Sequence, residues 1–239
     1  MVRAPTAAAV LCVLISACGS GKEPPPAPRP VATSKVEPCI KPGPATHVVE
    51  IAALGGPVVT IGSGTTAAVM ANQDGGTLCE WLPLARGLAR AGMRAVVFDY
   101  VGAGTDDQVL AIAKALRRQG VKRVALVGAS TGGRLVLHAA AERPRQFDSV
   151  VTLSAEQSGR TGYPTLSDAR HLRTRALYVG TAEDGYTTFA AETRRLYRAT
   201  SAPGKKLLVL PGSAHGTGIL EGARAKRVIG TITAFIRGA

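Results

Sequence analysis

The chain has 239 residues, 46% of them hydrophobic, enough for one α/β domain with a full core and little for a second. Its formal charge of +13 comes without aromatic residues interleaved among the basic ones, so nothing points to nucleic-acid binding, and clusters such as Arg194-Arg195 and Lys205-Lys206 read as solvated faces. There is no C-x-x-C and no H-E-x-x-H, and Gly62-Ser63-Gly64 lacks a phosphate-loop lysine, so neither a metal nor a cofactor is implied.

The first predicted element is an export signal over residues 1–17. Arg3 precedes the apolar run Ala7 to Ile15, too short to span a bilayer, and small residues lead to Cys18. Ile15-Ser16-Ala17-Cys18 resembles the lipobox of bacterial lipoproteins. That resemblance implies cleavage before Cys18, a diacylglyceryl thioether on its sulfur, and anchoring to the extracytoplasmic face of the bacterial cell membrane. The alternative is an ordinary secretory signal with an incidental cysteine.

Residues 18–44 carry Pro24-Pro25-Pro26, Pro28, Pro30, Pro38, Pro42 and Pro44 among Gly, Ser, Thr and Lys, a composition that favours extended polyproline II and works as a semi-rigid spacer. Cys12 falls inside the signal, so Cys39 and Cys79 are left over in an oxidising setting. A disulfide between them is expected, against the alternative of two buried thiols.

From residue 47 onward strand and helix patterns alternate. His47 to Ala53 and Pro57 to Ile61 read as an opening pair with a hairpin at Gly55-Gly56, followed by a strand over Thr65 to Ala71. The spacing of Trp81, Leu84 and Leu88 predicts a helix over Glu80 to Ala91, stopped at Gly92. Arg94 to Asp99 is a strand and Asp106 to Gln119 a helix, with Val109, Ile112, Ala113 and Leu116 on one face. Further strands are expected at Arg123–Gly128, Asp148–Leu153, Ala176–Val179 and Lys206–Leu210, with helices at Thr188–Ala199 and Gly222–Arg237. Such alternation implies an α/β fold, a mostly parallel sheet with helices on both faces and its site at the carboxyl ends of the strands.

The strand at Val124 ends in Gly128-Ala129-Ser130-Thr131-Gly132, a G-x-S-x-G that opens onto an amphipathic helix through Leu135, Val136, Ala139 and Ala140. A strand turning sharply into a helix throws one side chain out at the apex, and the two glycines remove Cβ atoms that would clash there. A serine alcohol is a poor nucleophile and needs a base and an orienting acid. His215, in a Gly-rich loop after a late strand, and Asp184, in Ala182-Glu183-Asp184-Gly185, follow in the required order, with Glu183 competing for the acid role. His138 reads as a packing residue, His47 and His171 as surface positions.

On these residues the chain resembles the α/β-hydrolase superfamily over roughly residues 47 to 237. The resemblance implies the α/β-hydrolase fold in residues 45–239 and a Ser130, Asp184, His215 triad working through an acyl-enzyme. It also implies an oxyanion hole made by the Thr131 N–H and an N–H from Gln73 or Asp74. Asn72 stands where the family has a histidine, Gln73 where it has a glycine, and Val101 where it has an arginine. Only about twenty residues separate Leu153 from Ala176, where relatives carry caps, so no large cap and an open, shallow site are expected. The expected substrate is a small-molecule carboxylic ester with a small or medium acyl group. Thioester, acyl-transfer and peptide chemistry of the same fold, or a surface lipoprotein using the scaffold only to bind, are the alternatives.

Overall fold

The computed structural model describes residues 37–51, 54, 56–100, 105–157, 163 and 165–238, so the expected export signal, Cys18 and most of the expected spacer lie outside the described residues. The strands are β1 (Thr46–Glu50), β2 (Pro57–Ile61), β3 (Thr66–Ala71), β4 (Arg94–Phe98), β5 (Arg123–Ala129), β6 (Ser149–Leu153), β7 (Arg175–Thr181) and β8 (Lys206–Leu210). They form one 8-stranded sheet in the order β1-β2-β4-β3-β5-β6-β7-β8. β1 and β2 pair antiparallel, as does β2 with β4, and every pair from β4 to β8 is parallel. Parallel neighbours need crossovers, and the helices supply them: α1 (Leu82–Arg90), α2 (Asp106–Arg118), α3 (Thr131–Glu142), α4 (Thr165–His171), α5 (Thr188–Ala199) and α6 (Ala225–Arg237).

Period-two alternation along the buried strands divides the core in two. In β5, Val124 and Leu126 pack with Ile112 of α2, Leu135 of α3 and Leu196 of α5. Ala125, Val127 and Ala129 turn the other way, onto Leu84 and Leu88 of α1 and Val228, Ile232 and Phe235 of α6. Both faces of the central strands are thus dry, which is why they read as continuous apolar runs. The Glu80–Ala91 helix pattern splits into a 3-10 turn at Leu78–Trp81 and α1, because Pro83 has no N–H and suits only a first turn. The Gly55-Gly56 hairpin expectation gains its strands, with Thr46 opposite Ile61 and Glu50 opposite Pro57. Helix α4 had no counterpart in the sequence pattern: only Leu166 and Ala169 are apolar in its seven residues, too few to show a period. It is tied to α3 by the buried Arg134, whose Nε donates to Thr165 Oγ1 at 3.0 Å and whose Nη2 donates to the Tyr163 carbonyl at 3.1 Å.

Residues 154–174 join β6 to β7 with α4 as their one described helix, so no large cap stands over the sheet. No helix among the described residues is long and apolar enough to cross a membrane.

Cys39 and Cys79 are joined as a disulfide with their Cα atoms 5.9 Å apart, and Ile40 beside the bridge packs against the core. The bridge closes a loop with a sequence separation of 40. Replacing both cysteines by serine should lower the unfolding free energy by about 4 kcal/mol, the entropy that such a loop removes from the denatured chain. Equilibrium denaturation with and without reductant measures this. A loss under about 1 kcal/mol would mean that the denatured chain gains nothing from being released.

Candidate active site

The carboxyl ends of β3, β5, β6, β7 and β8 converge, and the site is assembled from the turns that leave them. Ser130 follows β5 with φ 49° and ψ −116°, a positive-φ conformation that a non-glycine residue adopts at a cost of about 1–3 kcal/mol. The turn is held from below: Ser130 N–H donates to the Leu153 carbonyl at 2.8 Å, and the Ser130 carbonyl accepts from Gly133 N–H at 2.9 Å. A Cβ on Gly128 would lie 2.2 Å from the Gly132 carbonyl oxygen, and one on Gly132 would lie 2.3 Å from that of Ala71. The two glycines of the motif are therefore what lets β5, α3 and the end of β3 meet, as the sequence pattern anticipates.

Asp184 begins a 3-10 turn, Asp184–Thr187, after β7. Its carboxylate is fully buried, and its Oδ1 lies 2.8 Å from Nδ1 of His215, whose ring is 32% exposed. Asp184 Oδ2 is buried without a hydrogen-bond partner. Glu183, the competing carboxylate, is exposed and holds the turn only through its backbone N–H, donated to the Gly212 carbonyl at 3.0 Å. The Phe189 ring of α5 rests on the imidazole, with centroids 4.5 Å apart.

The loop that carries His215 is pinned by residues from three other strand ends. Thr181 Oγ1 donates to the Ala214 carbonyl at 2.8 Å, Gly216 N–H donates to Ser154 Oγ at 3.1 Å, and Thr217 N–H donates to Gln73 Oε1 at 3.1 Å. Thr217 Oγ1 donates to Glu80 Oε2 at 2.7 Å. Ser154, which supplies one of these acceptors, is itself in the left-handed region with φ 52°.

Gln73 and Asp74 line one cleft with Thr131, together with Glu37, Asp99 and Tyr100, enclosing about 460 Å³. The Thr131 N–H opens α3 and belongs to the helix amides that find no intrahelical acceptor. Asn72 is a buried hub. Its Nδ2 donates to the Phe98 carbonyl at 3.1 Å and to Asp99 Oδ1 at 3.0 Å, and its Oδ1 accepts from Trp81 Nε1 at 2.8 Å. Tyr100 O–H donates to the Asn72 carbonyl at 3.2 Å, and burial pushes that phenol well above the ordinary tyrosine range. Asn72 thus puts a fully bonded amide beneath the turn that carries Gln73 and Asp74. Val101 lies outside the described residues.

No hydrogen bond joins Ser130 to His215 among the described residues. Ser130 Oγ instead donates to Glu156 Oε1 at 2.6 Å. Glu156 escaped the sequence pattern, although it stands three residues past the end of β6, where site residues of such sheets gather. Gln157 N–H beside it donates to Glu192 Oε2 of α5 at 2.9 Å, which fixes the turn that carries Glu156.

The remaining histidines stand apart. His47 and His171 are exposed; His138 stacks on Tyr163 with centroids 4.4 Å apart and pairs through Nδ1 with Asp168 Oδ2 at 3.2 Å. With Glu142 this pair offers ligand atoms all within 4.8 Å of one another, a grouping that no sequence spacing announced and that lies outside the cleft. Burial raises the Asp168 carboxyl, and His138 opposes the rise.

A family model described as the alpha/beta hydrolase fold matches residues 69–184. A metagenome-derived lipolytic enzyme superposes with a TM-score of 0.66 at 17% identity, covering 76% of this chain and 97% of its own. The monoacylglycerol lipase of Paleococcus ferrophilus gives 0.65 at 14% identity over 75% and 97%, and an esterase domain from Rhodothermus marinus 0.66 at 18% over 80% and 98%. No curated protein sequence matches the chain.

Proposed function

We propose, on the premise that the chain belongs to the α/β-hydrolase superfamily, that it is a serine hydrolase cleaving small or medium carboxylic esters, exported and held to the membrane by a lipid on Cys18. The observation that carries the reaction is the buried Asp184 bonded to His215 at 2.8 Å, beside a serine held at φ 49°. A carboxylate on Nδ1 fixes the tautomer that leaves Nε2 free to accept a proton.

In this mechanism Ser130 Oγ attacks the ester carbonyl carbon as its proton passes to His215 Nε2. The tetrahedral oxyanion is met by the Thr131 N–H and by that of Gln73 or Asp74, each such donor contributing about 3 kcal/mol in the transition state. The imidazolium then protonates the leaving alkoxide, and water repeats the sequence on the acyl-enzyme. Before attack the serine hydroxyl leaves Glu156 for His215, a rotation between staggered wells of a kind that is fast in proteins. The short β6–β7 connection supports an open site suited to modest acyl groups. The lipolytic and esterase activities of the structural relatives support the ester class. The Cys39–Cys79 disulfide fits an oxidising, extracytoplasmic setting.

The rival reading is a binding protein on a hydrolase scaffold, favoured by the pairing of Ser130 with Glu156 in place of His215. Fluorophosphonate labelling of fractionated bacterial cells separates the two. The hydrolase reading expects covalent adduct on Ser130, in the membrane fraction for the full chain and in the soluble exported fraction for Cys18→Ser. A folded chain that takes no label would establish the binding reading, and label that stays in the membrane after Cys18→Ser would remove the lipid anchor.

A further inference from the structure

The contact between Ser130 and Glu156 places a carboxylate against the nucleophile itself. Glu156 Oε1 is 2.6 Å from Oγ, and no lysine, arginine or histidine pairs with Glu156 among the described residues. Any acyl carbon that Ser130 attacks must come to bonding distance of Oγ, so the groups flanking the scissile carbonyl pass close to this charge. The adjoining cleft repeats the sign: Glu37, Asp74 and Asp99 line it, and no basic residue among those described does. This stands against a chain whose formal charge is +13, so the anionic character is local to the site.

The hydrogen bond also has to break. When Ser130 turns its proton to His215, Glu156 loses the one side-chain donor it has among the described residues, at the moment a substrate occupies the site. A neutral ester leaves that carboxylate uncompensated, an anionic ester adds a like charge, and a cationic ester supplies the missing partner.

We propose that Glu156 is the specificity-determining residue of this site and selects esters that carry a positive charge within a few bonds of the scissile carbonyl. The assignment rests on the serine-hydrolase reading above and names its substrate class. Glu156 forms no covalent bond to substrate, and the Ser130 proton still goes to His215.

The test uses two isosteric pairs of esters. In the first, the p-nitrophenyl ester of trimethylammoniobutyrate is set against the analogue in which a tert-butyl group replaces trimethylammonium, so the charge is on the acyl side. In the second, acetylcholine is set against the same carbon replacement, so the charge is on the alcohol side. Wild-type protein should favour the cation in at least one pair by roughly tenfold or more in kcat/KM, after correction for spontaneous hydrolysis. Glu156→Gln keeps the side chain's size, and Glu156→Ala removes its acceptor; both should bring that ratio to about one. Labelling of Ser130 by a neutral fluorophosphonate in each variant checks that the site is intact. Equal turnover within both pairs by wild-type protein, or a preference that both variants retain, overturns the specificity assignment and leaves ester hydrolysis standing. Absence of Ser130-dependent turnover of the neutral esters overturns the hydrolase reading, and the assignment with it.

Discussion

Ser130→Ala and His215→Ala will each lower kcat/KM for a short-chain aryl ester by roughly 10³-fold or more, and the double variant will fall little further. In the proposed mechanism nucleophile and base act as one unit, so removing either would leave only the binding and oxyanion contributions. The fold should survive both changes. Ser130 is held by its backbone, through N–H to Leu153 and C=O to Gly133, and its hydroxyl bonds only Glu156 among the described residues. Alanine inherits the same positive-φ strain as serine, so Ser130→Ala should stay folded, with its melting temperature lowered only by the loss of the hydrogen bond to Glu156. Ser130→Gly is the instructive companion: equally inactive, yet more stable than Ser130→Ala by about 1–2 kcal/mol, because glycine adopts φ 49° without the Cβ clash. A Ser130→Ala protein that retains more than about a tenth of its activity would place the nucleophile elsewhere.

The fold was legible wherever burial is two-sided. Strands such as Val124–Val127 pack helices on both faces, so they show as unbroken apolar runs, and the amphipathic helices show as 3.6-residue stripes. The same logic explains what stayed hidden. α4 is held by Arg134, Thr165 and Tyr163 through polar contacts, which leave no hydrophobic period to read. The start of α1 was displaced by a local effect, Pro83, that periodicity does not weigh.

In the site, glycine chemistry made the elbow visible, because the clash each Cβ would make is implicit in the G-x-S-x-G spacing. Asn72 was visible only as a departure from a pattern. Its meaning needed the positions of Trp81, Phe98 and Asp99, which lie on two other elements and meet it only in space. Glu156 is the harder case. A carboxylate beyond a strand end has no periodicity or spacing of its own, and its contact with Ser130 depends on the left-handed turn at Ser154 two residues earlier.

Asp184→Asn will reduce turnover by roughly 10³- to 10⁴-fold, whereas Glu183→Gln will stay within about threefold of wild type. The Asp184 carboxylate only accepts hydrogen bonds, so it holds the ring proton on His215 Nδ1. An amide in its place can turn an N–H toward Nδ1 instead. The ring proton then moves to Nε2, and the base has no lone pair for the Ser130 proton. Glu183 is exposed and reaches no ring nitrogen, so its charge acts only through solvent. Stability separates this from a structural explanation. Asp184 is 0% exposed and its Oδ2 has no hydrogen-bond partner, so removing its charge relieves a buried, half-satisfied carboxylate even as it weakens the bond to His215. Activity should therefore collapse while the denaturation midpoint holds or rises. A midpoint that falls together with activity would mean that Asp184 serves mainly to hold the His215 loop. A severe Glu183→Gln with a mild Asp184→Asn would hand the orienting role to the neighbouring carboxylate.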